Sequence, residues 1–336
     1  MRIGIPQALL YHYYEPFWKT YFQELGCQVV VSPPTNKEIM DVGIKASVPE
    51  ICVPIKVYLG HVLTLRDMGV DFIHIPRFVS IEKGQFFCPK FMGLPDMIRH
   101  SFPGIEPMML IPTIDRSTDD LAVSVKQYRV MEEKLGVSRR ENKRALEKAT
   151  GVWQAFRRFN LAGIDLKAAA RMAMLPEANM EWNPPAEDGH AGLTLGVLGY
   201  VYNLYDSMIS MDLIDRLRGM GVQVKTFEMI ESDKLKEQLK GMQKTTFWTF
   251  SDKLFAAGYY FYREPSVDGL IHVTAFGCGP DSMLGKLLEL DSPKYNKPFM
   301  TVRIDEHSGE NHLQTRIEAF VDMLRRKKQM DAQRGA

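Results

Sequence analysis

Arg2-Ile3-Gly4-Ile5-Pro6, a helix-period segment at residues 11–25, Gly26, and then Gln28-Val29-Val30-Val31 form the stretch that decides the fold. A short β-branched run gives way to an amphipathic helix, a glycine stops that helix, and a second β-branched run follows. The pattern continues outward from there. A helix is predicted at residues 36–45, leading to Cys52, and another at residues 55–68, stopped by Gly69. Asp71-Phe72-Ile73-His74-Ile75-Pro76 forms a third strand, and residues 108–112 a fourth.

The same grammar returns in the second half. Leu193-Thr194-Leu195-Gly196-Val197-Leu198-Gly199 is a strand, residues 207–220 a helix, and Val222-Gln223-Val224-Lys225-Thr226-Phe227 a strand. Gly269-Leu270-Ile271-His272-Val273-Thr274 and residues 298–304 add two more strands, and residues 312–328 a closing helix. Strands that alternate with helices imply parallel sheets covered on both faces. Between the halves, residues 119–175 are helical in period, and residues 176–192 have the composition of a linker. The expected architecture is α/β: two Rossmann-like domains with small parallel sheets, at residues 1–116 and 191–336. A helical insert and linker at residues 117–190 joins them. A doubly wound fold places its site outside the carboxyl ends of the strands. Here the expected place is the interdomain cleft.

Composition narrows the function. The 336 residues, at about 150 per domain, suit two domains. With 45% hydrophobic and 25% charged residues the chain is neither disordered nor fibrous. Forty-two Lys and Arg against 41 Asp and Glu leave a net charge of +1, without the concentrated positive charge that a nucleic-acid groove needs. The one dense basic cluster, Arg325-Arg326-Lys327-Lys328, falls at the end of a predicted helix, where cations suit the dipole. No run approaches the roughly 20 apolar residues that span a bilayer. The opening Met1-Arg2-Ile3-Gly4-Ile5-Pro6 is too short an apolar run for a signal peptide. A cytoplasmic location is expected. Neither G-x-G-x-x-G after the first strand nor G-x-x-x-x-G-K-[ST] is present, so the glycine loops that cradle pyrophosphate or triphosphate are missing.

Four cysteines are too few for a disulfide scaffold. Cys27 follows the helix-stopping Gly26 and reads as a small buried hydrophobe. Cys52, Cys88 and Cys278 share another context: each stands near the predicted carboxyl edge of a sheet, with Pro54, Pro89 or Pro280 one or two positions later. A helix N-terminus favours thiolate over thiol, proline stiffens the loop, and Gly277 and Gly279 beside Cys278 admit a bulky group. Three such thiolates converging would suit a [4Fe-4S] cluster with one iron open to water or substrate. Two other readings stand beside it. The three could be unrelated core cysteines, since their spacings match no local metal motif. They could also bind zinc, with His61 or His307 as fourth ligand.

At these residues the sequence resembles a superfamily of iron–sulfur proteins related to the 2-hydroxyacyl-CoA dehydratases and their activases. The resemblance lies in Ile3-Gly4-Ile5-Pro6-Gln7-Ala8-Leu9-Leu10 with Trp18-Lys19, and in Cys52-Val53-Pro54-Ile55-Lys56 with Gly60-His61. Residues 72–76, Cys88-Pro89 and Gly93-Leu94-Pro95-Asp96 continue it. It resumes in Phe276-Gly277-Cys278-Gly279-Pro280-Asp281-Ser282, in Asp305-Glu306-His307-Ser308-Gly309-Glu310, and in Arg316-Ile317-Glu318-Ala319-Phe320. Only the helical middle carries no such marker. The resemblance implies an oxygen-sensitive, low-potential [4Fe-4S] cluster held by Cys52, Cys88 and Cys278. It also implies electron supply from an ATP-dependent activase or another low-potential donor, a homodimer, and dehydratase-like or reductase chemistry. The actin-like ATPase portion fused in some relatives is not among these residues, so ATP hydrolysis is expected of a partner. Three ligands cannot supply a double cubane within one chain. The chain is shorter than the dehydratase subunits, which leaves a complete CoA-thioester site in doubt.

Further candidates surround the cysteines. Glu306 and His307, after the last predicted strand, are the candidate catalytic residues, placed to relay protons or to hydrogen-bond an open cluster ligand. Alternatively, Asp305 to Glu310 is a turn whose acids cap the next helix. His61 reads as a satisfied buried histidine or a site residue. Lys56, one helical turn past Cys52, reads as an offset to cluster charge or a surface lysine. The run Tyr11-His12-Tyr13-Tyr14 could wall a pocket or pack in the core. The helical insert is the expected contact for a subunit or activase. Besides a cluster-carrying redox protein, two functions fit the sequence: a non-redox zinc protein, and a metal-free scaffold of a dehydratase system.

Overall fold

The computed structural model describes residues 1–82, 84–115, 125–175, 192–240 and 246–335, with the side chains of the last helix described as far as residue 333. It is a mixed α/β structure with small parallel sheets and many helices. The chain divides into two compact units, Met1–Trp182 with Phe247–Thr249, and Asn183–Thr246 with Phe250–Ala336.

In the first unit the elements run β1 (Arg2–Ile5), α1 (Tyr11–Glu24), β2 (Gln28–Val31), α2 (Lys37–Lys45), α3 (Val53–Asp67), β3 (Phe72–His74) and β4 (Arg77–Ser80). They continue as α4 (Pro89–Met92), α5 (Leu94–Ser101), β5 (Met109–Leu110), β6 (Thr113–Asp115), α6 (Arg129–Leu135), α7 (Arg139–Leu161) and α8 (Leu166–Ala173). The main sheet has the order β2-β1-β3-β5, parallel throughout. A two-stranded parallel sheet, β4 with β6, extends the chain beyond β3 and β5. Sequence reading gave the four main strands and did not separate this pair from them.

The second unit repeats the order. It runs β7 (Thr194–Gly199), α9 (Val201–Tyr205), α10 (Ser207–Ser210), α11 (Leu213–Gly219), β8 (Gln223–Thr226), α12 (Ser232–Gln238), α13 (Thr249–Arg263), β9 (Gly269–Ala275), α14 (Gly279–Asp291), β10 (Phe299–Ile304) and α15 (Glu310–Gly335). Its sheet is β8-β7-β9-β10, again all parallel. Both sheets therefore place their second strand outside the first, then the third, then the fourth.

One device recurs at corresponding points. Gly26 (φ +73°) closes α1 with its N–H on the Gln23 carbonyl and the Cys27 N–H on the Phe22 carbonyl. Gly221 (φ +73°) closes α11 the same way, onto Arg218 and Leu217. In each, a left-handed residue lets the chain reverse out of a helix into the second strand, a conformation only glycine adopts without strain. The helix expected at residues 207–220 is broken. Asp206 caps α10 through the Met208 and Ile209 N–H groups. Met211 and Asp212 then both take positive φ, and a new helix starts.

The cores follow from these elements. Every residue of β7 and β9 is buried, as expected of strands covered on both faces. The helical middle belongs to the first unit: α7, opened by a capping box between Ser138 and Glu141, packs along α1. Tyr14 stacks between Phe78 and Trp153, and the Tyr21 hydroxyl donates to Asn142 Oδ1 at 2.7 Å. Tyr11, His12, Tyr13 and Tyr14 are thus the first turn of α1, buried all round, and pack in the core. The expected insert residues 119–124 and linker residues 176–191 lie outside the described residues. The basic cluster lies inside α15, which runs on to Gly335, and not at the helix end that the sequence suggested; its side chains are used within their own unit. Arg325 donates to the Met220 carbonyl, and Lys328 pairs with Asp268. No helix among the described residues is long and apolar enough to cross a membrane.

Candidate functional site

Cys52 and Cys88 have almost the same local geometry. Cys52 is the residue before α3 (φ −66°, ψ 146°), with Pro54 in the first turn. Cys88 is the residue before α4 (φ −61°, ψ 153°), with Pro89 at its first position. Both are half-buried. A proline in the first helical turn costs no hydrogen bond and presets the helical φ, so each sulfur leaves the chain from a fixed point at a helix start. The start of α3 is held further from below. A Cβ at Gly43 would lie 1.9 Å from the Lys56 carbonyl oxygen, and one at Gly60 2.0 Å from that of Ile39. The α2 and α3 backbones therefore touch, which only glycine allows. Lys56 is no surface lysine: it is 2% exposed, and its ammonium donates to the Pro49 carbonyl at 2.9 Å, in the loop leading to Cys52.

Burial pushes the Cys88 thiol pKa up; the Phe91 and Lys90 backbone N–H groups pull it down, the neighbouring Cys52 pushes it up, and the Lys90 charge pulls it down. The net direction is upward. Cys52 is thus close enough to act on the ionisation of the Cys88 thiol. Cys27 is a different case, 7% exposed at the head of β2, with its thiol pKa raised by burial.

Cys278 stands in the second unit with the same grammar. It is the residue before α14 (φ −85°, ψ 100°), with Pro280 in the first turn. Gly277 (φ +76°) makes the reversal from β9, and the Cys278 N–H donates to the Ala275 carbonyl. Beside it is a cleft of about 340 Å³, bounded by α14, β9 and β10. His272 and Thr274 of β9 line it, with Ser282 and Lys286 of α14 and Thr301 and Arg303 of β10. His272 is wholly buried, and its Nε2 lies 2.9 Å from Asp281 Oδ1, also wholly buried. Sequence reading passed over this pair. The signal was present: a histidine inside an otherwise apolar strand, and an acid three residues past Cys278.

The loop after β10 is a turn whose Asp305 bonds lie within the turn and do not cap the next helix. The Asp305 carboxylate accepts from the His307 N–H at 2.9 Å and the Ser308 hydroxyl at 3.0 Å, and Glu310 pairs with Arg216 at 3.0 Å. His307 is exposed, Glu306 is half-buried, and neither lines the cleft. His61 is a satisfied core histidine. Its Nδ1 lies 2.8 Å from the Ser32 hydroxyl and its Nε2 2.9 Å from that of Thr35, and burial lowers its pKa to about 4. With both nitrogens engaged, it offers no lone pair to zinc in this arrangement.

The family model described as CoA enzyme activase uncharacterised domain (DUF2229) matches residues 2–230. The chain belongs to this family. No curated protein matches it. The DUF2229 match contains Cys52, Lys56 and Cys88, all of the first main sheet and the first two strands of the second; Cys278, His272, Glu306 and His307 lie past its end.

Among the described residues no group of three or more His, Cys, Asp and Glu side chains is gathered as a metal-binding set. The Cys52 and Cys88 pair nevertheless has the donor chemistry of one. Burial opposes a bare thiolate at Cys88, and a second thiolate nearby opposes it further, while the helix N–H groups favour it. A cation bound to both sulfurs would remove both penalties, because a coordinating thiol loses its proton outright.

Proposed function

We propose that this DUF2229 protein carries a [4Fe-4S] cluster on Cys52, Cys88 and Cys278 and acts in low-potential redox chemistry within a dehydratase system. The observation that carries the reading is the shared setting of the three cysteines. Each is the residue immediately before a helix, each has proline in the first helical turn, and Cys52 lies near enough to Cys88 to raise its thiol pKa. In this reading the two units are Rossmann-like domains that share one cluster. Such a cluster supplies one-electron chemistry and, at an iron without a protein ligand, a Lewis acid. The chain's own residues hold the sulfurs at helix starts, turn the Phe91 and Lys90 backbone N–H groups toward the Cys88 sulfur, and bring the buried Lys56 ammonium one turn beyond Cys52. Glu306 and His307 would move protons. The electron donor would be an ATP-dependent activase or an equivalent low-potential protein, and the working form a homodimer.

Strictly anaerobic purification with iron, zinc and acid-labile sulfide measured per chain tests the reading. About four irons and four sulfides, bleached by air and lost in Cys278→Ser, is the expected result. One zinc with no sulfide, or a colourless metal-free protein, overturns it.

A further inference from the structure

The cleft beside Cys278 contains polar atoms that the second unit leaves without a use. His272 is wholly buried and Thr274 is 5% exposed, yet His272 Nδ1 and Thr274 Oγ1 have no hydrogen-bond partner. Both side chains line the cleft. A buried polar atom without a partner costs about 1–3 kcal/mol, so two in one cavity mark a place where a partner from outside is missing. Asp281 holds the ring through Nε2, and Nδ1 is left without a partner within the chain. Gly285 lies so close over the imidazole that a Cβ there would come within 2.5 Å of Nδ1. The ring is therefore fixed in position, not waiting to turn to another partner.

The rim supplies charge of one sign. Arg303, at the end of the edge strand β10, makes no ion pair among the described residues, and Lys286 stands across the cleft on α14, shared only with Glu289 at 3.4 Å. The 13-residue helix α14 directs its N-terminus at the same space, adding the positive end of its dipole. At about 340 Å³ the cleft is at the small end of ligand pockets.

We infer that this cleft binds a compact oxyanion, the group shared by a short carboxylate and by phosphate. Arg303 and Lys286 meet its charge, and His272 and Thr274 hydrogen-bond it from the floor. The inference stands on the cleft's own side chains. It deepens the reading above only in that the ligand would lie beside Cys278, a proposed cluster ligand.

Equilibrium titrations of the full chain with acetate, inorganic phosphate and the uncharged acetamide, followed by NMR, test it. Saturable binding of acetate or phosphate, with acetamide at least ten-fold weaker, is expected, and the tighter of the two anions identifies the source. Arg303→Gln, at a strand edge where folding does not depend on it, should weaken the anion on the order of ten-fold, and Thr274→Val should weaken it too. Arg129→Gln, in the first unit, should change nothing. No saturation, equal binding of acetamide, or the same affinity in Arg303→Gln overturns the inference. Titrating protein purified in air beside anaerobic protein of known iron content separates this outcome from the cluster's. An anion bound without iron sustains the site and leaves the cluster to its own assay.

Discussion

Gly285 of α14 and His272 of β9 are packed so tightly that a Cβ added at 285 would lie 2.5 Å from both Cε1 and Nδ1 of the imidazole. Gly285→Ala therefore has to displace a ring that is wholly buried and tied to Asp281. Overpacking of this kind costs about 1–3 kcal/mol. The expected outcome is an unfolding free energy lowered by that amount, read as a lower urea midpoint, with anion affinity in the cleft lost as the ring moves. An unchanged midpoint would show that the helix and strand have room to separate.

The His272 and Asp281 pair makes a second expectation. Removing one member strands a buried polar partner, whereas removing both leaves an apolar contact. His272→Leu and Asp281→Leu should each destabilise by about 1–3 kcal/mol, and the double variant should cost less than the two added together. Additive effects in equilibrium unfolding would mean that the 2.9 Å contact contributes no coupling.

Acid should weaken the first unit through three histidines buried in neutral form. Burial lowers the pKa of His12 to about 3, with Lys167 and His61 adding to the effect, that of His61 to about 4, and that of His74 to about 3, from an ordinary value of 6.5. The unfolded chain protonates first as pH falls below 6.5, so it binds more protons than the folded one. The stability is fully present above that pH and is lost on descent toward the folded values. Each histidine contributes about 1.4 kcal/mol per pH unit well below 6.5. Urea midpoints at pH 7, 6 and 5 should fall accordingly. The slope should be shallower in His74→Phe, which keeps the ring between Trp18 and Phe22.

How much of this was legible in the sequence depends on the range of the signal. All eight strands of the two main sheets were readable, because short apolar runs and the glycines Gly26, Gly69 and Gly221 that end the helices before them are signals only a few residues long. The helix starts behind Cys52 and Cys278 were readable for the same reason. The break at Met211 and Asp212 was not, since neither residue announces a positive φ and the Asp206 cap looks like any acid within a helix. Lys56 and His61 were ambiguous until Pro49, Ser32 and Thr35 were placed around them. The cleft was hidden most deeply. It joins β9, α14 and β10 through His272, Lys286 and Arg303, and the partners of a buried histidine are fixed only by tertiary packing.

The contact of α2 with α3 should decide whether Cys52 is held in place. With a Cβ at Gly60 only 2.0 Å from the Ile39 carbonyl oxygen, Gly60→Ala cannot be relieved by a side-chain movement, because the obstacle is backbone. Separation of the two helices should cost about 3 kcal/mol and loosen the start of α3, which carries both Cys52 and Lys56. Differential scanning calorimetry should show the loss, and amide exchange at residues 53–57 should quicken. Protection equal to that of the wild type would place the anchor of Cys52 elsewhere.

Cys88 offers the most direct chemical check, because its reactivity follows from named influences. Burial raises its thiol pKa, the Phe91 and Lys90 N–H groups lower it, the Cys52 sulfur raises it, and the Lys90 charge lowers it. Only the thiolate attacks iodoacetamide, so metal-free protein should alkylate at Cys88 more slowly than free cysteine at the same pH. Lys90→Glu removes one favourable charge and adds an unfavourable one, and should slow the reaction further. Cys52→Ala removes a neighbour that opposes ionisation, and should speed it. Rates read by mass spectrometry on the peptide containing Cys88 separate these effects. If Cys52→Ala leaves the rate unchanged, the two sulfurs are not coupled, and the donor pair on which the cluster reading stands is lost.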